Sequence, residues 1–412
     1  MDALTRFELR KITRRKSFYA GIAILVVMIP LLTIVLITNT QITGKDGKYL
    51  YGIPAIRLLR EYNRQLAGPL TVKKVADTVE RHQKVMRDPK NLDKKGEMTI
   101  ESHAKYEVKN NQIYTLISFA FSPLNEYDFY IIDRLKPSDA KEFYQKRMEK
   151  VNQYLNGDYS YGNYSAKEKA FFIKMNESIP IPFQLDYVTG WENVFENLPN
   201  LFLIIAFVIA ICLAPVFAGE YQSGADSIIL STRYGRNKVI AAKLKASFLV
   251  SLGLIVFAVA AYTLLLLGIY GFDGGNASIQ IIELLAPVPY TVFQSYLWAV
   301  LIGSLACLLV GAVTLWLSSR MRGPFPVIIV IGIFLIGPLF IPASKSSRLF
   351  NHLMNLFPEN MMDGFKKLTD YEVYHIFGQM ILEYKVMTGF AVAVIALLVP
   401  LSYRAFQKHQ VV

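Results

Sequence analysis

Residues 199–218 read PNLFLIIAFVIAICLAPVFA and contain no charged side chain. A helix of roughly 20 predominantly apolar residues is long enough to cross the hydrocarbon core of a bilayer. Similar stretches without Asp, Glu, Lys, Arg or His occur at residues 17–38, 246–271, 291–317, 325–343 and 386–403. The sequence therefore predicts an all-α membrane protein with six transmembrane helices, called spans one to six in chain order.

The composition excludes several other classes of protein. The chain has 412 residues, of which 53% are hydrophobic and 18% charged, and this excludes a disordered protein. The two cysteines, Cys212 and Cys307, each lie within an apolar stretch, which excludes a disulfide framework and a cysteine-based zinc site. The five histidines are far apart and show no paired spacing, so no metal site is predicted.

The net charge of +12 is concentrated in particular parts of the chain. Lysine and arginine gather in residues 1–16, 219–245 and 318–324 and in the tail after residue 403. If the six spans cross the membrane in alternating directions, all four basic parts lie on the same side of it. The positive-inside rule then predicts that both termini are cytoplasmic. The basic flanks are expected to be held by anionic membrane lipid. We expect the membrane to be a cell membrane, specifically a bacterial plasma membrane. This distribution argues against a nucleic-acid partner.

Residues 39–198 are then extracytoplasmic and long enough for one domain. They are mainly helical in pattern, with helices predicted at residues 54–66, 71–87, 100–119, 138–155 and 165–176. A second external segment, residues 344–385, is predicted to contain a short helix at 348–357 that lies at the membrane interface. Residues 199–412 carry spans two to six.

Sequence signatures of catalysis are missing. The chain contains neither a GxSxG nucleophile elbow nor a GxxxxGK[ST] phosphate loop, so no catalytic residue is predicted and ATP hydrolysis is not expected in this chain. The spans also lack interior charges, which weighs against a proton-driven pump.

Two spans carry strips of small residues at intervals of four, on one helix face each. The strips consist of Ala206, Ala210, Ala214 and Ala218 in span two and of Ser295, Ala299, Gly303, Cys307 and Gly311 in span four. Small side chains let another helix approach closely. Both rigid packing and a surface that slides against a partner are compatible with these strips.

The stretch FAGEYQSGADSIILSTRYGRNKVIAAKLKA, residues 217–246, follows span two. It is too polar to enter the membrane and too apolar for a free loop. We expect short helices at the inner surface, with one face available to a soluble partner.

This stretch resembles the ABC type-2 permease family, the membrane subunits of ABC exporters. The matching residues are Phe217, Glu220, Tyr221, Gly224, Leu230, Ser231, Gly235, Arg236 and Lys243. Where many members have proline after the serine, this chain has Thr232-Arg233-Tyr234. The opening stretch LTRFELRKITRRKS, residues 4–17, resembles the family's amphipathic elbow helix, expected within residues 1–16 along the inner leaflet. The large external insert and the YVTGW stretch at 187–191 resemble one branch of the family.

The resemblance implies a transporter that is energised by a separate nucleotide-binding ATPase subunit, in which ATP and Mg bind, while this chain needs no cofactor. A second permease copy or a paralogue would complete the complex. The residues expected to couple to the ATPase are Glu220, Tyr221, Gly224, Leu230, Ser231, Arg233, Gly235, Arg236 and Lys238. Glu220 could instead cap a helix or pair with a basic residue, and the three cations could simply anchor the chain to lipid.

The uncharged spans favour an exported substrate that is amphipathic, such as a peptide or a lipid-like molecule. A different function remains open, because the external domain could bind a ligand or an envelope partner and make the chain a membrane-anchored sensor or scaffold. A membrane enzyme is the third hypothesis, and it lacks a visible nucleophile, metal set or acid–base pair.

Overall fold

A computed structural model describes residues 1–409 of the chain, and most of them are helical. The first part contains α1 (Ala3–Thr13) and α2 (Lys16–Asn39). Residues 40–188, called the insert below, contain β1 (Gln41–Thr43), β2 (Tyr49–Tyr51), α3 (Ile53–Leu66), β3 (Gly68–Pro69), α4 (Val72–Met86), α5 (Ile100–Ser102), α6 (Asn111–Phe121), α7 (Ile131–Arg134), α8 (Phe143–Leu155), α9 (Ala166–Glu177) and β4 (Gln184–Leu185). The remainder contains α10 (Thr189–Leu213), α11 (Ala218–Ser223), α12 (Ala225–Ser231), α13 (Lys238–Tyr270), α14 (Val292–Ser318), α15 (Pro324–Ile336), α16 (Arg348–Asn355), α17 (Pro358–Met362), α18 (Gly364–Thr369), β5 (Val373–Ile376), β6 (Gln379–Leu382) and α19 (Glu383–Gln407).

Five helices within residues 1–409 are long and apolar enough to cross a membrane, namely α2, α10 extended by α11, α13, α14 and α19. The predicted fifth span corresponds to α15, whose 13 residues are followed by a 3-10 turn at Gly337–Phe340. A helix of this length rises about 20 Å, less than the roughly 30 Å of a hydrocarbon core. Pro338 lies in that turn and cannot donate a backbone hydrogen bond, which helps to end the helix. The count of six spans therefore stays a prediction.

The helix α10 lies at the centre of the helical bundle. Within its most apolar stretch 72% of the residues are buried, compared with 17% in α19 and 28% in α2. It packs against α2, α13 and α14. Because so much of its surface is covered by protein, α10 is the element around which the other long helices are arranged.

The predicted small-residue strips lie in this packed interior. Gly303 is covered by the ring of Phe202 on α10, and the Cys307 thiol lies 3.3 Å from the Phe202 carbonyl oxygen. Gly311 faces Ile209 and Leu213, also on α10. The predicted strip of span two is buried at Ala206, Ala210, Ala214 and Ala218. The prediction of one helix face is wrong for its last two members, because α10 ends at Leu213, Ala214 lies in the turn that follows, and Ala218 begins α11. On α14, Ser295 and Ala299 are buried too, and Ala299 abuts Gly364 of α18 rather than α10. These contacts account for close helix packing, and whether the surfaces also slide stays open.

The insert forms a layer at one end of the bundle and packs on the loop between α13 and α14. Arg60 and Arg64 both reach the carboxylate of Asp273, at 2.6 and 2.7 Å. The buried Arg147 guanidinium donates to the carbonyl oxygens of Leu284 and Ala286. The insert is therefore tied to the long helices by buried as well as exposed contacts. Its predicted helical character is confirmed, and its location outside the cell stays a prediction.

One predicted helix of the insert is wrong in detail. Residues 100–119 do not form a single helix, because a π turn at His103–Glu107 and a 3-10 turn at Val108–Asn110 precede α6. The buried Glu107 Oε1 lies 3.2 Å from His82 Nδ1, and the altered turn brings this carboxylate to the imidazole. The predicted helix at 138–155 likewise opens with a 3-10 turn, Pro137–Glu142.

Short antiparallel ribbons, which the sequence did not predict, occur within the described residues. They pair β1 with β2, β3 with β4 and β5 with β6. In the last ribbon Val373 faces Leu382 and Ile376 faces Gln379, so the turn falls at Phe377 and Gly378. The predicted helix at 348–357 ends at Asn355, and Pro358 starts the next helix, α17.

Candidate functional site

The segment between α10 and α13, residues 219–245, folds into two short helices and a turn. The first helix, α11, ends at Gly224, which has φ +69° and thus the left-handed conformation that glycine adopts without strain. The second helix, α12, is amphipathic, since Leu230 is 4% exposed and Ile228 is 70% exposed. Gly235 is buried in the following turn, where a Cβ atom would clash with the Ile229 carbonyl oxygen. The backbone therefore requires glycine at position 235 and favours it at position 224.

Glu220 is the centre of a buried ionic cluster. Its Oε1 lies 2.6 Å from Lys11 Nζ of α1 and 2.7 Å from Lys243 Nζ of α13. The Lys243 ammonium also lies 3.0 Å from Glu8 Oε2, and it is 1% exposed. Two acids and two lysines thus form a group called the ion quartet below (Glu8, Lys11, Glu220 and Lys243), and the partly buried Arg15 guanidinium beside it adds a third cation. A buried charge is tolerated only when it is paired in this way.

The quartet decides how Glu220 can act. Glu220 is 2% exposed, so its carboxylate is not available to a soluble partner in this structure. It pairs with basic residues, which is the alternative role that the sequence left open. Through this pairing, α11 is held against α1 and against the first turns of α13.

The end of α14 is joined to the same segment by hydrogen bonds. The Ser318 hydroxyl donates to the Ala214 carbonyl oxygen at 2.7 Å. It also accepts from the backbone N–H groups of Phe217 and Ala218, at 3.1 and 2.9 Å. The Tyr221 hydroxyl donates to the Ser319 carbonyl oxygen at 2.9 Å. These bonds satisfy the backbone where α10 ends and α11 begins.

The end of α19 makes a third set of contacts. Tyr221 packs against the rings of Phe406 and His409, at 5.5 and 4.4 Å between centroids. The Arg236 guanidinium donates to the Gln407 carbonyl oxygen at 2.6 Å. Asp226 Oδ2 lies 3.3 Å from His409 Nε2. The end of the bundle where α1, residues 219–245 and the last turn of α19 meet is called the terminus-bearing end below.

The other side of the segment is open. Its exposed residues between positions 222 and 238 are Gln222, Ser223, Gly224, Ile228, Ser231, Thr232, Arg233, Tyr234, Arg236, Asn237 and Lys238. The Arg233 guanidinium and the Lys238 ammonium both lie near the Tyr234 ring, at 5.4 and 4.4 Å from its centroid. An exposed isoleucine beside several cations suits a partner groove that is apolar with an acidic rim.

The structure divides the predicted coupling residues into two groups. Ser231, Arg233, Arg236 and Lys238 lie on the exposed face together with Gly224. Glu220, Leu230 and Gly235 are buried beneath it, and Tyr221 is half-buried. Glu8, Lys11 and Ser318 were not predicted as parts of this site, and Lys243 was named only as a residue of the family pattern. One signal was present, because Glu8 and Lys11 are three residues apart and so share one face of α1.

Comparison with known proteins gives one match. The sequence model of the ABC-2 family transporter protein matches residues 3–411. No curated protein and no solved structure matches the chain significantly.

Proposed function

Because the chain belongs to the ABC-2 family of transporter membrane proteins, we propose that it is the permease subunit of an ATP-driven ABC exporter. A separate nucleotide-binding subunit supplies ATP hydrolysis and holds ATP and Mg. This chain supplies the helices along which the substrate moves, together with a second copy or a paralogue. The terminus-bearing end faces the cytoplasm of a bacterial cell, and the insert is extracytoplasmic.

The observation that carries this proposal is the two-sided character of residues 219–245. The outer side exposes Ile228 on α12 and Arg233 in the turn that follows, as docking into a partner groove requires. The inner side is bonded to four helices through the ion quartet, Ser318 and Gln407. A displacement imposed on α12 by a partner is therefore passed to α1, α13, α14 and α19.

In this proposal the buried residues and the exposed residues have different roles. Glu220 and Gly224 are positioning residues, because one binds the neighbouring helices and the other sets the angle between α11 and α12. Ile228 and Arg233 are contact residues for the ATPase. Closure of two ATPase subunits around ATP would move α12 and, through α11, the end of α10.

The substrate is proposed to be amphipathic, of the peptide or lipid-like class. The apolar stretches of the long helices carry no charged side chain, which disfavours passage of a small ion. Most of the outward surface of α2 and α19 is apolar, with Val27, Ile34 and Leu397 more than half exposed. Such surfaces fit contact with lipid or with a second membrane subunit.

The test is a pull-down of the tagged chain from its native membranes, followed by an ATPase assay of the proteins that co-purify. A stoichiometric ATPase is expected with the wild type, and at least tenfold less with the Ile228→Asp/Arg233→Glu variant. A matched control, Ile100→Asp/Lys90→Glu, makes the same changes on exposed residues of the insert and should retain the ATPase. Absence of any ATPase from the wild type would contradict the proposal.

The alternative function is that of a membrane-anchored sensor or scaffold. It is favoured by the size of the insert and by its buried attachment to the loop between α13 and α14 through Arg147. In that case the pull-down would yield a signalling protein or an envelope partner in place of an ATPase. Loss of the contacts between the insert and the loop that joins α13 to α14 would abolish co-purification of that partner.

A further inference from the structure

A lateral cavity of about 690 Å³ lies beside the terminus-bearing end, between α13, α14, α19 and the start of α1. Its walls are almost entirely apolar and include Leu244, Phe248, Leu308, Leu315, Ile395 and Val399. The volume is within the range of roughly 300–1,000 Å³ that is typical of small-molecule sites. None of the ion quartet lines this cavity, so it is separate from the site described above.

The cavity opens toward the side of the bundle. Phe248 and Leu249, which form part of its wall, are 52% and 41% exposed. Both lie on α13, one of the helices long enough to cross a membrane. An opening on such a helix faces lipid, and the occupant therefore has to enter from the bilayer and be apolar along most of its length.

The apolar lining is interrupted by Asp2, Thr5, Lys245, Ser247 and Ser251, and two of these have polar groups that a ligand can engage. The Ser247 side chain is fully buried, and its hydroxyl has no hydrogen-bond partner among the described residues. An unpaired buried hydroxyl is unfavourable, and a ligand oxygen in the cavity would relieve this. The second group is Lys245, whose side chain is 67% exposed at the mouth.

Lys245 is held only by a weak, exposed ion pair. Its nearest acid is Asp2, and the closest approach, from Lys245 Nζ to Asp2 Oδ2, is 4.0 Å. The Asp2 carboxylate also accepts from the backbone N–H and the hydroxyl of Thr5, each at 2.8 Å. Exposed ion pairs of this kind contribute little stability, so a phosphate can compete with Asp2 for the Lys245 ammonium.

We propose that the cavity binds one acyl chain of an anionic phospholipid from the leaflet at the terminus-bearing end. The phosphate pairs with Lys245, an ester oxygen accepts from the Ser247 hydroxyl, and the chain lies between Phe248, Leu308 and Ile395. The occupant is a membrane lipid rather than a transported substrate. The site does not depend on the proposed ATPase, so failure of either proposal leaves the other standing.

The test uses the full-length chain in nanodiscs that contain phosphatidylglycerol and phosphatidylcholine in equal amounts. In two parallel preparations, one or the other lipid carries a photoreactive diazirine on its acyl chain, and labelled residues are identified by mass spectrometry. Labelling is expected at Leu308 and Ile395, at least threefold higher with phosphatidylglycerol. Labelling of Ile333, which is 67% exposed on α15, should not differ between the lipids.

Three variants complete the test. Lys245→Ala should abolish the preference for phosphatidylglycerol, while Lys238→Ala, which removes an exposed lysine outside the cavity, should keep it. Ala312→Phe places a ring in the cavity and should lower labelling of Ile395 about tenfold. If that variant fails to elute as a folded species in size-exclusion chromatography, Leu308→Trp fills the same space.

Three outcomes would overturn the proposal. Equal labelling of the wild type by the two lipids would show that the cavity does not select an anionic headgroup. Labelling of Ile395 that persists in the filled variant would show that lipid contacts only the outer surface. An Ile395→Cys variant that crosslinks to a second copy of the chain would assign the cavity to a protein interface.

Discussion

Lys243 Nζ lies 2.7 Å from Glu220 Oε1, although the two residues are 23 positions apart and both side chains are almost fully buried. Glu220 lies on the short helix α11, and Lys243 lies on the long helix α13. Their pair, extended by Glu8 and Lys11, connects the segment exposed at the terminus-bearing end to the helices behind it.

Replacing one member of this pair should destabilise the protein strongly. Glu220→Gln leaves the buried Lys243 and the 34% exposed Lys11 opposed by Glu8 alone, and we expect a loss of about 3–5 kcal/mol of unfolding free energy, mainly from the unpaired Lys243. The double variant Glu220→Gln/Lys243→Met should lose less than the sum of the single variants, by at least about 1 kcal/mol. Unfolding in mixed micelles measures both. The exposed Lys245→Met is the control and should change the unfolding free energy little, whereas strict additivity would contradict a direct coupling.

Gly224 should tolerate asparagine better than alanine. Its φ of +69° is strained for alanine by about 1–2 kcal/mol, while asparagine adopts this conformation more readily. Gly224→Ala should therefore lower the unfolding temperature and the amount of co-purified ATPase, and Gly224→Asn should retain both. If both variants retained the ATPase, the angle between α11 and α12 would not matter for docking.

The insert should be more stable in neutral than in alkaline solution. Burial lowers the pKa of His82, but hydrogen bonds to Asp133 and Glu107 outweigh burial and raise this pKa from 6.5 to about 9. Because the folded pKa is the higher one, the stabilisation is fully present below pH 6.5 and is lost as pH rises through about 9. This difference corresponds to roughly 3 kcal/mol.

Thermal unfolding of the full chain between pH 6 and 10 measures this effect. The His82→Gln variant should be less stable at pH 6 and should lose much of the pH dependence. The exposed His103→Gln variant is the control and should follow the wild type. A wild-type curve without a decline toward pH 9 would contradict a charged His82 in the folded protein.

Gly303 and Gly253 should respond differently to the same substitution. A Cβ atom at Gly303 would meet the buried ring of Phe202, so Gly303→Ala should cost about 1–3 kcal/mol through overpacking. At the exposed Gly253, no heavy atom of the described chain lies within 4 Å of the added Cβ, apart from its chain neighbours and its own helix backbone. Gly253→Ala should therefore be neutral or slightly stabilising. Equal effects of the two substitutions on unfolding would mean that the strip on α14 is not tightly packed.

Much of the fold could be predicted because a helix that crosses a membrane needs a long apolar run, and such runs are visible in sequence. The same property explains where prediction was less accurate. The helix α10 begins at Thr189 and α13 begins at Lys238, both before the apolar runs. Polar residues can continue a helix beyond its apolar run, so hydropathy does not mark where the helix begins. The end of α15 before the turn that contains Pro338 depends on that proline and on tertiary packing, which amino-acid composition does not reveal.

The candidate site could be located from sequence but not assembled. The pattern around Glu220 and Gly224 indicates this segment, and the left-handed φ of Gly224 is a physical reason for glycine at that position. The partners of Glu220 come from α1 and α13, and nothing in the local sequence states which lysines meet it. A buried carboxylate and an exposed one look alike until tertiary contacts are known.

The uninterrupted course of α10 has a mechanical consequence. The helix of 25 residues stays continuous through Pro199, and it measures about 33 Å from Trp191, near its start, to its end at Leu213 before α11. The end of α10 near Trp191 is attached to the loop between α13 and α14, because the Trp191 indole donates to the Asp273 carbonyl oxygen at 2.8 Å. A rod of this length works as a lever arm, and a tilt of about 10° at the junction would swing Trp191 by about 6 Å. The loop that carries Asp273, with Arg60 and Arg64 bound to it, would be drawn along by that swing.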